Sequence, residues 1–308
     1  WKCRNTWISP CSDSAEKVRQ IMTDIKTLRL FQVDAFIRPA QRIANSGVIF
    51  SGNPAAVVPL EQWLPDQLMQ AIAAENNLSE TAFFTGSDGH YHIRWFTPET
   101  EVDLCGHATL ASAWVIAQQL QDQNSEYRFT TESAGDLSVV VSGEPSDPLL
   151  ELNFPQRVPE TLDDAQLKKE LSIALGQNVV ALSSSRDLVV ELENAEAVIG
   201  CIPDMHRIAE LTSKWFAVII TARYETPEYD FVSRFFAPLQ GIAEDPVTGS
   251  SFCSLAPYWA EKLSISQLKA WQCSARGDDA ELEIHDDRVK IRGRCFSYLS
   301  GNINLPAS

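Results

Sequence analysis

The sequence predicts an α/β (α+β) fold of two similar lobes, and two observations support this prediction. Strand-like and helix-like patterns alternate along the 308 residues. The second half also repeats the first: YHIRWFTPETEVDLCGHATLASAW matches YDFVSRFFAPLQGIAEDPVTGSSFCSLAPYW, with Phe96 on Phe236 and Gly106 on Gly249. Because each lobe then holds one copy of the same unit, two lobes with a cleft between them is the simplest architecture.

The elements of the first lobe follow from hydrophobic periodicity. LRLFQVDAF has strand periodicity, and PDQLMQAIAAEN has apolar residues at helical spacing. TAFF and YHIRWFTP are predicted strands, GHATLASAWVIAQQL a buried helix rich in small residues, and YRFTTESAGDLSVVV a hairpin. GEPSDP breaks the pattern. The predicted organisation is therefore an N-terminal extension at 1–27, a first lobe at 28–147 and a second lobe at 148–308.

Composition excludes several classes of partner. The formal net charge of −16 would repel nucleic acid and an anionic membrane surface, so neither is expected as a partner. No apolar run approaches the roughly 20 residues of a membrane span. The seven cysteines form no CxxC pair, which favours a reducing, cytoplasmic compartment. His90 and His92 lack a third ligand at suitable spacing, so no metal site is expected.

Both repeats place a glycine where a strand gives way to a helix. The pairs are Gly106-His107 in the first half and Gly249-Ser250 in the second. Exposed N–H groups at a helix start, together with the positive end of the helix dipole, bind carboxylates and other anions well. If both starts face one cleft, the expected ligand is a small carboxylated metabolite.

Four stretches resemble one known family. SGNPAAVV, NNLSETAFF, RWFTPETEVDLCGHATLASAW and EDPVTGSS occur in the order found in the phenazine-biosynthesis PhzF-like family, which is related to diaminopimelate epimerase and proline racemase. The resemblance runs from Leu28 to the C-terminus. It implies two pseudo-symmetric lobes, each a curved, mostly antiparallel or mixed sheet around a central helix, usually assembled as a homodimer. It also implies an isomerase that moves a proton without an organic cofactor or metal.

The resemblance assigns roles to particular residues. Glu80 matches the catalytic glutamate that removes a proton from an activated carbon and returns it at another position, and burial against Phe83 and Phe84 would favour its neutral form. His107 and Asp245 match the other catalytic residues of the cleft. The substrate-binding residues implied are Gly106, Gly249, Ser250 and Asn53. Read without the family, Glu80 would be a solvated surface acid, His107 a structural helix-start residue and Asp245 a capping acid.

Two other functions stay open at this point. One is a binding or regulatory protein with the same cleft but no turnover, which a surface-lying Glu80 would favour. The other is an amino-acid racemase or epimerase, whose two cysteines act on opposite faces of a carbon. Cys105 lies where the first of those would be, but no second thiol is well placed, so Cys105 is interpreted as a small buried residue.

Two further features are less informative. The segment 37–50, IRPAQRIANSGVIF, is longer than the family's connection and is expected to approach the mouth of the cleft, where it would alter the substrate pocket or contact a partner. Arg186 and Asp187 stand near a strand start. A place in the cleft and a surface ion pair are equally compatible with that position, so they are not assigned to the site.

Overall fold

The structure, a computed structural model, describes residues 27–37 and 50–305. The predicted N-terminal extension, apart from Thr27, and most of the long 37–50 segment lie outside the described residues. No helix in the described ranges is long and apolar enough to cross a membrane.

The first half of the chain contains eight strands and two helices among its described residues. The strands are β1 Thr27–Ala35, β2 Asn53–Pro59, β3 Glu80–Ser87, β4 His90–Phe96, β5 Glu101–Val102, β6 Glu126–Thr130, β7 Asp136–Glu144 and β8 Asp147–Pro155. The helices are α1 Asp66–Asn76 and α2 Gly106–Gln118. The predicted helices and the predicted hairpin β6–β7 are all present, the hairpin with antiparallel pairing.

The second half contains ten strands and four α-helices in the part of it that the structure describes. The strands are β9 Glu160–Thr161, β10 Val179–Ser184, β11 Leu188–Leu192, β12 Val218–Arg223, β13 Phe231–Ala237, β14 Ile242–Asp245, β15 Gln267–Gln272, β16 Asp278–His285, β17 Arg288–Gly293 and β18 Cys295–Asn304. The helices are α3 Ala165–Leu175, α4 Ala195–Ile199, α5 Met205–Leu211 and α6 Phe252–Leu263, with short 3₁₀ turns at Pro238–Gln240 and Gly249–Ser251.

Strand pairing repeats between the halves. In the first half β1–β2 is antiparallel, β2–β3 parallel, β3–β4 antiparallel and β4–β6 parallel. In the second half β10–β11, β11–β12, β12–β13 and β13–β15 follow the same alternation. Antiparallel pairing of β8 with β17 joins the two sets, and β18 returns to pair with β1. The predicted boundary at 147/148 falls at the start of β8, which pairs with both β7 and β17, and it stays a prediction.

A buried helix occupies the centre of each half. Ten of the thirteen residues of α2 are buried, and many of them are small, so surrounding strands can approach its backbone closely. In α6, eight of twelve residues are buried, and Pro257 lies inside the helix. Proline lacks an N–H, which leaves the carbonyl of Cys253 without its helical donor. The backbone N–H of Arg157 donates to that carbonyl at 2.8 Å and so compensates the missing bond.

Candidate active site

The backbone at the start of α2 contacts the backbone of the 3₁₀ turn that leads into α6. A Cβ on Gly106 would lie 2.9 Å from the Cα of Gly249, and a Cβ on Gly249 would lie 3.0 Å from the Cα of Gly106. A side chain on either glycine would therefore force the two backbones apart. No side chain caps the start of α2, where Cys105 is the capping residue, or the start of the 3₁₀ turn Gly249–Ser251 that leads into α6, where Thr248 is the capping residue. The N–H groups at both starts consequently remain suited to an anionic ligand, as the sequence predicts.

Glu80 lies beside His107 at this junction. It is the first residue of β3 and pairs in parallel register with Ala55 of β2. Its side chain is buried, with 8% of the residue exposed, and its Oε2 lies 3.1 Å from Nε2 of His107. The approach lacks hydrogen-bond alignment, so neither atom has a hydrogen-bond partner among the described residues. Buried polar atoms without hydrogen bonds lower the stability of the fold, and these two remain free to bond a substrate.

Asn53 holds Asp245 and the backbone of Val247 in place on another side of the site. Its Nδ2 donates to Oδ1 of Asp245 at 2.7 Å and to the carbonyl of Val247 at 2.9 Å. Its Oδ1 accepts from the hydroxyl of Ser79 at 3.0 Å, and the side chain is fully buried. Since both N–H groups are used, the 3.3 Å contact with Nδ1 of His107 is not a full hydrogen bond. The sequence predicts a substrate contact for Asn53, whereas these bonds favour a positioning role.

Asp245 is the last residue of β14, and hydrogen bonds fix both its side chain and its backbone. Its Oδ2 accepts from the Thr248 hydroxyl, and Oδ1 accepts from Asn53. The side chain of Gln272 donates to the backbone carbonyl of Asp245 at 2.8 Å and accepts from the N–H of Thr248 at 2.9 Å. The turn that carries Asp245 toward Gly249 is therefore fixed from β15.

Burial and neighbouring charges set the protonation of this cluster. Burial raises the pKa of Asp245 to about 6, with His107 opposing and Glu80 reinforcing that shift. Burial alone would lower the pKa of His107, but the adjacent Cys105 and Glu80 outweigh it and raise the pKa well above its usual range. Burial also raises the pKa of Cys105 to about 11, so this thiol is neutral near pH 7. Near neutral pH the cluster accordingly contains an imidazolium beside acidic groups.

These residues line a cavity of about 30 Å³ between the two halves. This volume holds a water or two, so entry of a metabolite requires the cavity to widen. Its walls are Glu80, Val102, Leu104, Cys105, Gly106, His107, Arg186, Phe216, Phe235, Ile242, Asp245, Thr248, Gly249 and Ser250. All the predicted site residues except Asn53 are among them.

The structure differs from the sequence-based predictions in two further respects. Arg186 lines the cavity, although its place in the sequence left it unassigned. The apolar walls near Glu80 include Leu104 and Phe235, whereas Phe83 packs against Phe96 in the core. The signal for Arg186 was present, because it occupies the turn between β10 and β11, and turns at strand ends commonly carry functional side chains.

Cys105 is buried, as predicted, and it also contacts a predicted catalytic residue. Its Sγ lies 3.5 Å from Nδ1 of His107. Thr248 occupies the corresponding capping position before Gly249, and among the described cavity-lining residues Cys105 is the one cysteine. The ligand atoms of Glu80, Cys105 and His107 lie within 4.8 Å of one another. However, Cys105 and Glu80 approach different nitrogens of the imidazole, so the three do not converge on one metal position.

Comparison with known proteins decides the family. The family model described as phenazine biosynthesis-like protein matches residues 44–301. The chain belongs to the phenazine biosynthesis-like (PhzF) family. An uncharacterized isomerase of Pseudomonas aeruginosa is 45% identical to this PhzF-family chain over 280 residues, covering 90% of this chain and 99% of that protein. A mouse phenazine biosynthesis-like domain-containing protein is 38% identical, with 90% and 99% covered.

Solved structures agree with this PhzF assignment. A crystal structure of a PhzF-family protein from Enterococcus faecalis has a TM-score of 0.80 and 39% identity, covering 91% of this chain and 100% of that one. A hydroxyproline epimerase from Agrobacterium vitis has a TM-score of 0.60 at 10% identity, which shows a shared fold. The predicted family, fold class and isomerase class are therefore confirmed.

The raised pKa of Asp245 predicts a pH-dependent effect of Asp245→Asn on stability in this PhzF-family protein. Because the folded-state pKa is about 6, the native state binds the proton more tightly than the unfolded state, whose value is about 4. Native stability therefore falls as pH rises between these values. Asparagine avoids that loss and can still accept from Asn53, so the variant should gain up to about 3 kcal/mol at pH 7 and little at pH 4.

Urea denaturation of the parent and Asp245→Asn at both pH values measures this difference. A gain of equal size at pH 4 and pH 7 would contradict the assigned titration.

Proposed function

We propose that this protein is an isomerase that moves a proton within a small carboxylated metabolite, with Glu80 as general base and then general acid. One observation carries the proposal: Oε2 of Glu80 and Nε2 of His107 lie 3.1 Å apart, buried, without hydrogen-bond partners among the described residues, beside a cavity between two helix starts. A buried carboxylate oxygen that faces a buried histidine at a cleft, with neither atom hydrogen-bonded, is a functional arrangement more than a stabilising one.

In the proposed reaction the Glu80 carboxylate takes a proton from an activated carbon of the substrate. The electron pair of the broken C–H bond shifts along the substrate, and the protonated Glu80 then returns the proton at a second carbon. The imidazolium of His107 faces Glu80 at 3.1 Å, and its Nε2 has no hydrogen-bond partner among the described residues, so it can donate to negative charge that develops on the substrate. The N–H groups near Gly106 and Gly249 hold the substrate carboxylate. The chemistry uses the chain's own side chains and needs no organic cofactor or metal.

Asp245 forms the other side of the cavity. Its two oxygens are engaged by Asn53 and Thr248, so it is oriented before substrate arrives. Because its pKa is about 6, it changes charge close to neutral pH and can accept a proton from the substrate or orient one of its groups.

The alternatives have less support. An exposed Glu80 would have favoured a binding protein without turnover. Glu80 is instead buried. A two-thiol racemase needs a cysteine opposite Cys105, and Thr248 stands at the corresponding capping position. A homodimer and a cytoplasmic location stay predictions from the resemblance and the cysteine content.

A solvent-exchange screen tests the proposal. The protein is incubated in D₂O with a panel of small cyclic and acyclic carboxylates, and loss of substrate C–H signals is followed by NMR, with heat-denatured protein as control. Exchange that continues after chelator treatment is expected for at least one panel member. Saturable binding of panel members with no exchange would instead support the binding-protein alternative.

A further inference from the structure

Arg186 is the strongest cation at the cavity and lies in the short turn between β10 and β11. Its side chain is 19% exposed. Of the described residues lining the cavity, Arg186 and His107 are the two basic side chains, and Arg186 presents a planar guanidinium with several fixed donors. The chain as a whole has a net charge of −16, so a cationic side chain at the cavity provides a local attraction for an acidic substrate.

Two neighbours fix the orientation of the guanidinium. The fully buried Asp187 approaches it from the side, with Nε to Oδ1 at 3.3 Å and Nη2 to Oδ2 at 3.5 Å. The ring of Phe216 lies 4.2 Å from Cζ of Arg186 and supports the flat face. Asp187 lies along the side edge of the guanidinium, formed by Nε and Nη2. The end edge, formed by Nη1 and Nη2, extends from Ser250 of the cavity wall to Asp103.

The end edge has weak contacts only. Its Nη2 lies 3.5 Å from Oγ of Ser250, and Nη1 lies 3.3 Å from Oδ1 of Asp103, which is half exposed. Charge-assisted hydrogen bonds normally measure about 2.7–2.9 Å. Arg186 is therefore oriented by the protein but retains donor capacity beside the second helix start.

We propose that the end edge of Arg186 binds the substrate carboxylate, replacing Asp103, together with the N–H groups at Gly249 and Ser250. A planar carboxylate matches the two parallel donors of this edge. The inference rests on the proposed function and names the specificity it requires: a free carboxylate, with the neutral amide rejected. Since Gly249 touches Gly106, and His107 lies beside Glu80, a small molecule held here reaches the proton-transfer residues.

Acetate, with acetamide as its neutral isostere, is the probe for this site. Backbone amide signals of Gly249 and Ser250 are followed by NMR during titration of the parent, and saturable shifts are expected with acetate and none with acetamide. The test variant is Arg186→Gln combined with Asp187→Asn, because removing Arg186 alone leaves a buried carboxylate without its partner. The double variant should bind acetate about 10- to 100-fold more weakly, and Arg186→Lys should be intermediate.

Thermal unfolding of each variant separates a folding defect from a binding defect. Equal acetate affinity in the parent and the folded double variant, equal response to acetamide, or no saturable response to acetate in the parent would each overturn the inference. Repeating the titration on Glu80→Gln separates it from the proposed function. Acetate binding that depends on Arg186, in a protein that shows no proton exchange with any substrate, would leave this inference standing and remove the isomerase proposal.

Discussion

Glu80→Gln is expected to lower the rate of isomerisation by about 10²- to 10⁴-fold, the usual contribution of a general acid–base group. Glutamine has nearly the same shape as glutamate, so the start of β3 and its pairing with Ala55 should be preserved. The amide, however, cannot accept the substrate proton at neutral pH. The loss should therefore appear in kcat, with KM changed only a few-fold, when product formation is followed with the substrate found by the exchange screen.

Glu80→Asp is the matched control for this prediction. It keeps the carboxylate but withdraws it by one methylene from His107, so an intermediate loss is expected. If Glu80→Gln retained the parent rate, or if both variants lost only affinity, Glu80 would be a binding residue.

Gly106→Ala is expected to destabilise the fold by about 1–3 kcal/mol or more and to abolish most activity. The new Cβ would lie 2.9 Å from Cα and 3.1 Å from the carbonyl carbon of Gly249, and both belong to backbone that cannot rotate away. Alanine's better helix propensity, worth about 1 kcal/mol in a helix interior, offsets only part of this cost. The helix starts would have to separate, which moves the N–H groups that we propose hold the carboxylate. Urea denaturation and the exchange assay measure the two effects.

Gly301→Ala provides the comparison. Gly301 lies in β18, and, apart from its two chain neighbours, no atom of a described residue lies within 4 Å of a Cβ placed there. Its substitution should change the free energy of unfolding by less than about 0.5 kcal/mol. Equal stability of the Gly106 and Gly301 variants would show that the close glycine contact does not constrain the fold.

The repeat explains why much of this architecture could be predicted. Matching Gly106 with Gly249 in the sequence indicated two equivalent helix starts, and the structure places their backbones in contact. Helix α2 was predictable because small and apolar residues occur all round the helix. A helix without a polar face is expected to be buried. Both features depend on local pattern or on self-similarity, which a single sequence contains.

Contacts between distant residues could not be predicted in the same way. Asn53 bonds Asp245 across 192 positions, and this bond gives Asn53 a positioning role that no local pattern suggests. The sequence left a place in the cleft and a surface ion pair equally compatible with Arg186, and only the fold places it beside Ser250 and Phe216. The sulfur contact between Cys105 and His107 likewise depends on the rotamers of the helix start.

Proton exchange in Glu80→Gln and the parent, measured side by side in D₂O with both proteins saturated by the same substrate, tests the central claim most directly. Binding is measured on the same samples, so that occupancy is equal. We expect the substrate C–H signal to decay with the parent and to persist with Glu80→Gln. Decay at the parent's rate in Glu80→Gln would show that another group removes the proton and would contradict the role assigned to Glu80.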